Sequence, residues 1–173
     1  HAADGHARVS DKPGVCLATS GPGATNLITG MAAAFMDSSP VIFITCNVPD
    51  SLLGKDAFQE VDIVGIAMPI TKNTYLVRRA EDLADTIREA FALAVSGRKG
   101  PVLIDITANA VREYAEYTPM DPQNYLKKVF AYRRNISHIE KTFSTEELKK
   151  AKAILESAKC PLVLAGGGVV WSK

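Results

Sequence analysis

No apolar run in these 173 residues is long enough to cross a membrane, and the N-terminus has neither a basic flank nor a continuous hydrophobic stretch. A membrane partner is therefore not expected, and a cytoplasmic protein is. Cysteine is scarce: Cys16, Cys46 and Cys160 each sit inside an apolar run, without C-x-x-C or Cys/His spacing, so the chain offers no metal set and the three read as reduced, buried core residues. Aromatics make up only 7% and the basic residues are scattered, which leaves no basic stripe for a nucleic-acid backbone. Charge of one sign is lacking too, with 20 basic against 19 acidic residues. At 47% hydrophobic and 23% charged, the chain can build a core and is not disordered. The three histidines, His1, His6 and His138, have no serine or cysteine partner at a catalytic spacing and read as surface or hydrogen-bonded residues.

What is present is an alternation of short apolar runs and helical patterns. Gly14 to Thr19 reads as a strand buried on both faces, bounded by Pro13 and by Ser20-Gly21-Pro22-Gly23. Leu27, Met31, Ala34 and Phe35 recur at one-turn spacings, predicting a helix over 24–37 that Pro40 ends. A second strand is expected from Val41 to Cys46. The stretch from Asn47 to Thr74 is loop-rich, broken by Pro49, Gly54, Gly65 and Pro69, with a short helix near 59–66. Long irregular stretches inside compact domains tend to be functional. Tyr75-Leu76-Val77 reads as a strand, Glu81 to Ser96 as an amphipathic helix followed by Gly97, and Pro101 to Ile106 as a further buried strand.

Such an order predicts an α/β fold, a parallel sheet with helices on both faces, and places ligands at the carboxyl ends of the strands. Residues 117–143 lose periodicity and read as a linker between a first domain, 1–116, and the start of a second α/β domain, 144–173. In that second part, Ser144-Thr145-Glu146-Glu147 is a capping box. Leu148, Ala151, Ile154, Leu155 and Ala158 form an expected buried face, and Pro161 to Ala165 an expected strand. His1 falls inside what reads as the later part of an alanine-rich helix, and "PLVLAGGGVVWSK" stops after a glycine turn, so both ends read as those of a longer chain.

Three motifs compete for function. Ser20-Gly21-Pro22-Gly23 stands where a phosphate cradle would, but there is no G-x-x-x-x-G-K-[ST], and Pro22 removes an amide donor. An ordinary tight turn and a rigid turn that receives a flat ring both remain. "GKDAFQEVD" brings an amide, two carboxylates and an aromatic to the ligand-facing edge; taken alone it reads as a solvated loop with Phe58 tucked into the core. Gly166-Gly167-Gly168 is a glycine turn after a strand, not G-x-G-x-x-G.

In order, "HAADGHAR", "GVCLATSGPGATNLITGMAAAFMDSSPVIFIT", "VPDSLLGKDAFQEVDIVGIAMPITKNTYLV", "SGRKGPVLIDI" and "PLVLAGGGVV" resemble the catalytic subunit of the thiamine-diphosphate-dependent acetolactate synthase family. The resemblance implies the flavodoxin-like pyrimidine-binding domain of such enzymes, followed by the start of a central domain. It implies that Pro22, Gly23 and Asn26 lie against the aminopyrimidine ring of thiamine diphosphate. Phe58 and Gln59 would stand at an active site shared by two subunits, Pro49 and Ala57 with Phe58 would line its substrate channel, and Lys72 would lie near the cofactor. Asp37, Ser38, Arg98, Gly166 and Gly167 would contact FAD.

The resemblance further implies condensation of pyruvate with a second 2-oxoacid, with decarboxylation, in branched-chain amino acid biosynthesis. A ring-activating glutamate would precede His1, and Mg²⁺ would be held by a domain outside this chain, so these residues alone would not catalyse. A homodimer or homotetramer is implied, with a regulatory subunit as a further partner. Thr107-Ala108-Asn109 departs from the family's Pro-Lys-Asp and bears on acceptor choice. Two alternatives stand beside this reading: another thiamine-diphosphate 2-oxoacid enzyme, such as a pyruvate oxidase or a different carboligase or decarboxylase, and a non-catalytic nucleotide-binding domain.

Overall fold

The computed structural model describes residues 1–10, 12–119 and 144–171. They fall into two compact units, His1–Ala131 and Tyr132–Lys173. The first holds a four-stranded parallel sheet: β1 (Gly14–Ala18), β2 (Val41–Asn47), β3 (Asn73–Val77) and β4 (Val102–Thr107), in the order β1-β2-β4-β3. Cα registers run Gly14 with Val41, Ile42 with Val102 and Asn73 with Val102.

Because strand side chains alternate, the sheet feeds two cores. Val41, Phe43 and Leu103 point to one, where α1 (Ala2–Ser10), α3 (Ile28–Met36) and α4 (Ile63–Ala67) supply Ala7, Met31, Ala34, Ile63 and Ala67. Ile42, Val102, Ile104 and Ile106 point to the other, where α5 (Ala80–Val95) supplies Ala90, Leu93 and Ala94 and α6 (Ala108–Arg112) supplies Ala110. Helices thus cover both faces, as the alternating pattern predicts. All six residues of β4 are buried, which is why "VLIDIT" carries almost no surface chemistry.

Helix ends follow capping rules in unexpected ways. The predicted helix over 24–37 is two pieces, α2 (Pro22–Thr25) and α3, separated at Asn26-Leu27. The last carbonyls of α3, on Phe35 and Met36, accept from the Arg98 guanidinium at 3.3 and 3.4 Å. At α5, the Lys72 ammonium donates to the Leu93 and Ser96 carbonyls, each at 2.5 Å. Both cations sit where a helix presents unpaired acceptors and the negative end of its dipole.

Four expectations are corrected. β1 is an edge strand, and Val15 and Leu17 are 51% and 72% exposed rather than buried, because α5 covers β2, β4 and β3 only. Of the cysteines, Cys160 is exposed and Cys16 and Cys46 are half-buried; all three are free thiols. The helix Thr145–Ser157 forms with its capping box, Ser144 accepting from the Glu147 amide at 3.0 Å and Glu147 from the Ser144 amide at 3.1 Å. Its apolar residues are nonetheless exposed, Leu148 at 57% and Ile154 at 68%. Nor is Pro161 to Ala165 a strand; a helix, Gly167–Trp171, follows directly after Gly166. Among the described residues of the second unit, no strand stands beside residues 161–165 to supply ladder partners. The predicted linker, beyond its first three residues, and His138 lie outside the described residues.

Candidate thiamine-binding site at the carboxyl edge

At the carboxyl end of β1 the chain enters Gly21 with φ 57° and ψ −121°, a conformation that a side chain opposes. Space opposes one as well: a Cβ there would lie 2.9 Å from the Cβ and carbonyl oxygen of Gln59. Gly21 thus lets the strand-to-helix turn and the Gln59 loop touch backbone to backbone. Pro22 occupies the first position of α2, where its missing amide costs the helix nothing. The amides of Gly23, Thr25 and Asn26 donate to the carbonyls of Ser20, Gly21 and Pro22, at 3.3, 3.0 and 3.1 Å. Donors spent in this way cannot cradle a phosphate. What the turn leaves exposed is the Pro22 ring and, four residues on and hence on the same side, the Asn26 carboxamide.

The loop that follows β2 is held from within. Both oxygens of Glu60 accept backbone amides, from Gly54 and from Ala57 at 2.9 Å. Those amides hold the Glu60 carboxyl below its ordinary range, so this group is a clasp, not a spare acid or base. Three residues in the loop adopt positive φ, Gly54 at 73°, Asp56 at 51° and Gln59 at 60°. The consequence appears at Phe58, which is 88% exposed instead of tucked into the core. Asp62 then caps α4 by accepting from the Gly65 amide at 2.9 Å. Pro49 and Ala57 are half-buried at the two shoulders of the same loop.

The turn thus offers a rigid apolar proline ring and a carboxamide, with Gln59 packed against its glycine. Residues 1–66 match the family described as "Thiamine pyrophosphate enzyme, N-terminal TPP binding domain". Residues 1–66 are thus similar to the N-terminal domain of thiamine pyrophosphate enzymes. The chain is 48% identical over 170 residues to "Acetolactate synthase" of Arthrospira platensis, covering 98% of this chain and 28% of that protein. It is 44% identical over 178 residues to "Probable acetolactate synthase large subunit" of Methanocaldococcus jannaschii, covering 99% and 28%. With "Acetolactate synthase isozyme 1 large subunit" of Escherichia coli it shares 45% identity over 172 residues, covering 97% and 28%. The chain therefore spans less than a third of the length of these curated relatives.

Within the first unit, the structure brings Pro22, Gly23, Asn26 and Gln59 to one edge. It brings Asp37, Ser38 and Arg98 together elsewhere, where α3 ends and β2 begins. Arg98 Nε donates to Ser38 Oγ at 2.8 Å, and Arg8 Nη2 donates to Asp37 at 2.5 Å. Lys72 does not join the first group. It directly precedes β3, its amide donates to the Pro101 carbonyl at 2.8 Å, and its ammonium serves α5, all at the amino edge of the sheet. Gly166 and Gly167 belong to the second unit. Among the described residues, no three His, Cys, Asp or Glu side chains are grouped to hold a metal.

One polar cluster escaped the sequence reading. Asp105, fully buried on β4, accepts from Thr45 Oγ1 at 2.7 Å and from Asn47 Nδ2 at 2.6 Å. Burial pushes its carboxyl up, against the pull of those two donors. The Asn47 carboxamide oxygen in turn accepts the Val48 amide at 2.8 Å. A single aspartate inside "VLIDIT" was the available signal, since a buried carboxylate requires partners.

Proposed function

We propose that the whole protein is an acetolactate synthase, condensing pyruvate with a second 2-oxoacid, pyruvate or 2-oxobutyrate, with loss of carbon dioxide, in branched-chain amino acid biosynthesis. The observation that carries this reading is the 48% identity, spread over 98% of the chain, to a protein so named. The carboxyl-edge geometry supports it: Pro22 and Asn26 form one face for an aromatic ring, and Gln59 stands beside them.

Thiamine diphosphate supplies an electron sink for carbon–carbon cleavage and formation at a carbonyl. The residues present fit its ring and not its phosphates, because the turn has spent its amides. In this reading Pro22, Gly23 and Asn26 orient the ring, while Gln59 and Phe58 face the reacting carbonyl carbon and exclude water. Pro49, Ala57 and Phe58 border the path of the 2-oxoacid. The glutamate that activates the ring and the domain that holds diphosphate and Mg²⁺ belong to other parts of the protein. FAD is proposed at Asp37, Ser38 and the exposed guanidinium of Arg98, which suits a diphosphate. Residues 1–116, 117–143 and 144–173 serve as pyrimidine domain, linker and start of that central domain.

Lys72 is proposed to serve the cofactor only at a site assembled from two copies of the chain, consistent with a homodimer or homotetramer; a regulatory subunit and a cytoplasmic location complete the reading. The test is product identity from the full-length protein given pyruvate, Mg²⁺, thiamine diphosphate and FAD. Acetolactate is expected. Acetaldehyde, acetyl phosphate or peroxide would reassign the reaction to another thiamine enzyme, a reading that Thr107-Ala108-Asn109 favours; no turnover of any 2-oxoacid would overturn both.

A further inference from the structure

The loop that carries Phe58 and Gln59 has to leave β2 at a fixed angle, and two side chains near the end of β4 fix it. At one end, Asp105 holds the Asn47 carboxamide by its Nδ2, which orients Oδ1 onto the Val48 amide. At the other, Asn109 Oδ1 accepts the Asp50 amide at 2.9 Å, while Asn109 Nδ2 donates to the Arg78 carbonyl at 2.8 Å and to Glu113 Oε1 at 3.2 Å. The Asp50 carboxylate meets Arg78 Nε at 3.3 Å, which closes the same corner. Between the two holds lie only Val48 and Pro49, and proline is already stiff.

We propose that Asp105 and Asn109 are positioning residues that latch the two ends of the stretch from Asn47 to Asp50, one to β4 and the other to α6, and thereby set where Gln59 stands against Gly21. Beyond residue 50, the amides of Leu52, Leu53 and Lys55 donate to the carbonyls of Pro49, Asp50 and Leu52, and the Glu60 clasp ties Gly54 and Ala57, so a shift at the loop's root is carried to its tip. Asparagine is required at 109 because the site needs an acceptor and a donor on one side chain. A carboxylate there would still accept from Asp50, but it would face the Arg78 carbonyl and the Glu113 carboxylate with no proton to give. The asparagine of Thr107-Ala108-Asn109 thus has a structural job in this chain where the resembled family carries aspartate.

The functional half of this inference rests on the proposed carboligase, so the experiment separates the two. In the full-length protein without ligands, amide hydrogen exchange over residues 47–60 is compared between wild type, Asn109→Ala and Asp105→Asn. Removing one such hydrogen bond should raise exchange in this stretch by roughly threefold to tenfold, with exchange in α5 unchanged. With pyruvate, KM should rise more than kcat falls. Unchanged exchange would overturn the latch, and raised exchange with unaltered KM and kcat would overturn its positioning role. Should the wild type turn over no 2-oxoacid, the reaction assignment fails and the latch is judged by exchange and by thiamine diphosphate affinity in Mg²⁺, which Asn109→Ala should weaken. Asp105 is fully buried and its variant is the one at risk of misfolding; half-buried Asn109 keeps the test decisive.

Discussion

At the scale of single residues, the account turns on side chains that nothing in the core demands. Gln59 holds a left-handed backbone against Gly21 while its side chain is exposed. Replacing it with alanine should change stability by no more than about 0.5 kcal/mol, as ordinary surface substitutions do, and lower kcat/KM by at least about tenfold. A melt and a steady-state assay on the same preparation check this; loss of fold without a separate kinetic defect would count against it. Glu60 makes a pH-dependent claim. Its folded pKa lies below the unfolded one because the Ala57 and Gly54 amides bind the charged form. The clasp is therefore complete above the ordinary glutamate range and is lost as pH falls through the lowered folded value. Thiamine diphosphate affinity, titrated against pH, should decline in that acid window, and Glu60→Gln should show the weakened affinity already at neutral pH.

Elements meet where glycine permits it. α1 crosses β1 so closely that a Cβ on Gly14 would lie 2.0 Å from the Ala3 carbonyl oxygen. That contact is with backbone, so no rotamer change relieves it. Gly14→Ala should cost about 1–3 kcal/mol or more, as overpacking does, read from a denaturant midpoint with the m-value unchanged. The crossing also explains why "HAADGHAR" holds its place: Asp4 and Asp37 share the Arg8 guanidinium, tying α1 to the end of α3. Burial pushes the Asp4 carboxyl up, but hydrogen bonds from Arg8 and Ser39 outweigh it and leave it below its ordinary range.

For the whole molecule, the parallel sheet was legible because the apolar runs of β2 and β4 are continuous and the helices between them keep a 3.6-residue period. The exposure of β1 was not, since a run such as "GVCLA" looks the same at an edge as at a centre. Leu148, Ile154 and the expected strand at 161–165 misled for a related reason: periodicity states which side an element can bury, not whether another element covers it. In the candidate site, the turn at residues 20–23 and the loop around Gln59 were legible as a turn and a loop at one edge of the sheet, and the roles proposed for Pro22, Asn26 and Gln59 rest on the resemblance. Their contact at Gly21 was not, because residues 21 and 59 meet only through backbone dihedrals that sequence does not encode one by one. The Asp105 latch was hidden by its position inside a strand that otherwise reads as pure core.

The central claim is that the Gly21 turn and the Gln59 loop together form the ring side of a thiamine diphosphate site. The measurement that tests it most directly is a crystal structure of the full-length protein with thiamine diphosphate and Mg²⁺. The account predicts aminopyrimidine density against the Pro22 ring and the Asn26 carboxamide, with Gln59 alongside and the diphosphate held away from residues 20–26. Diphosphate density on that turn, or ring density elsewhere, would contradict it.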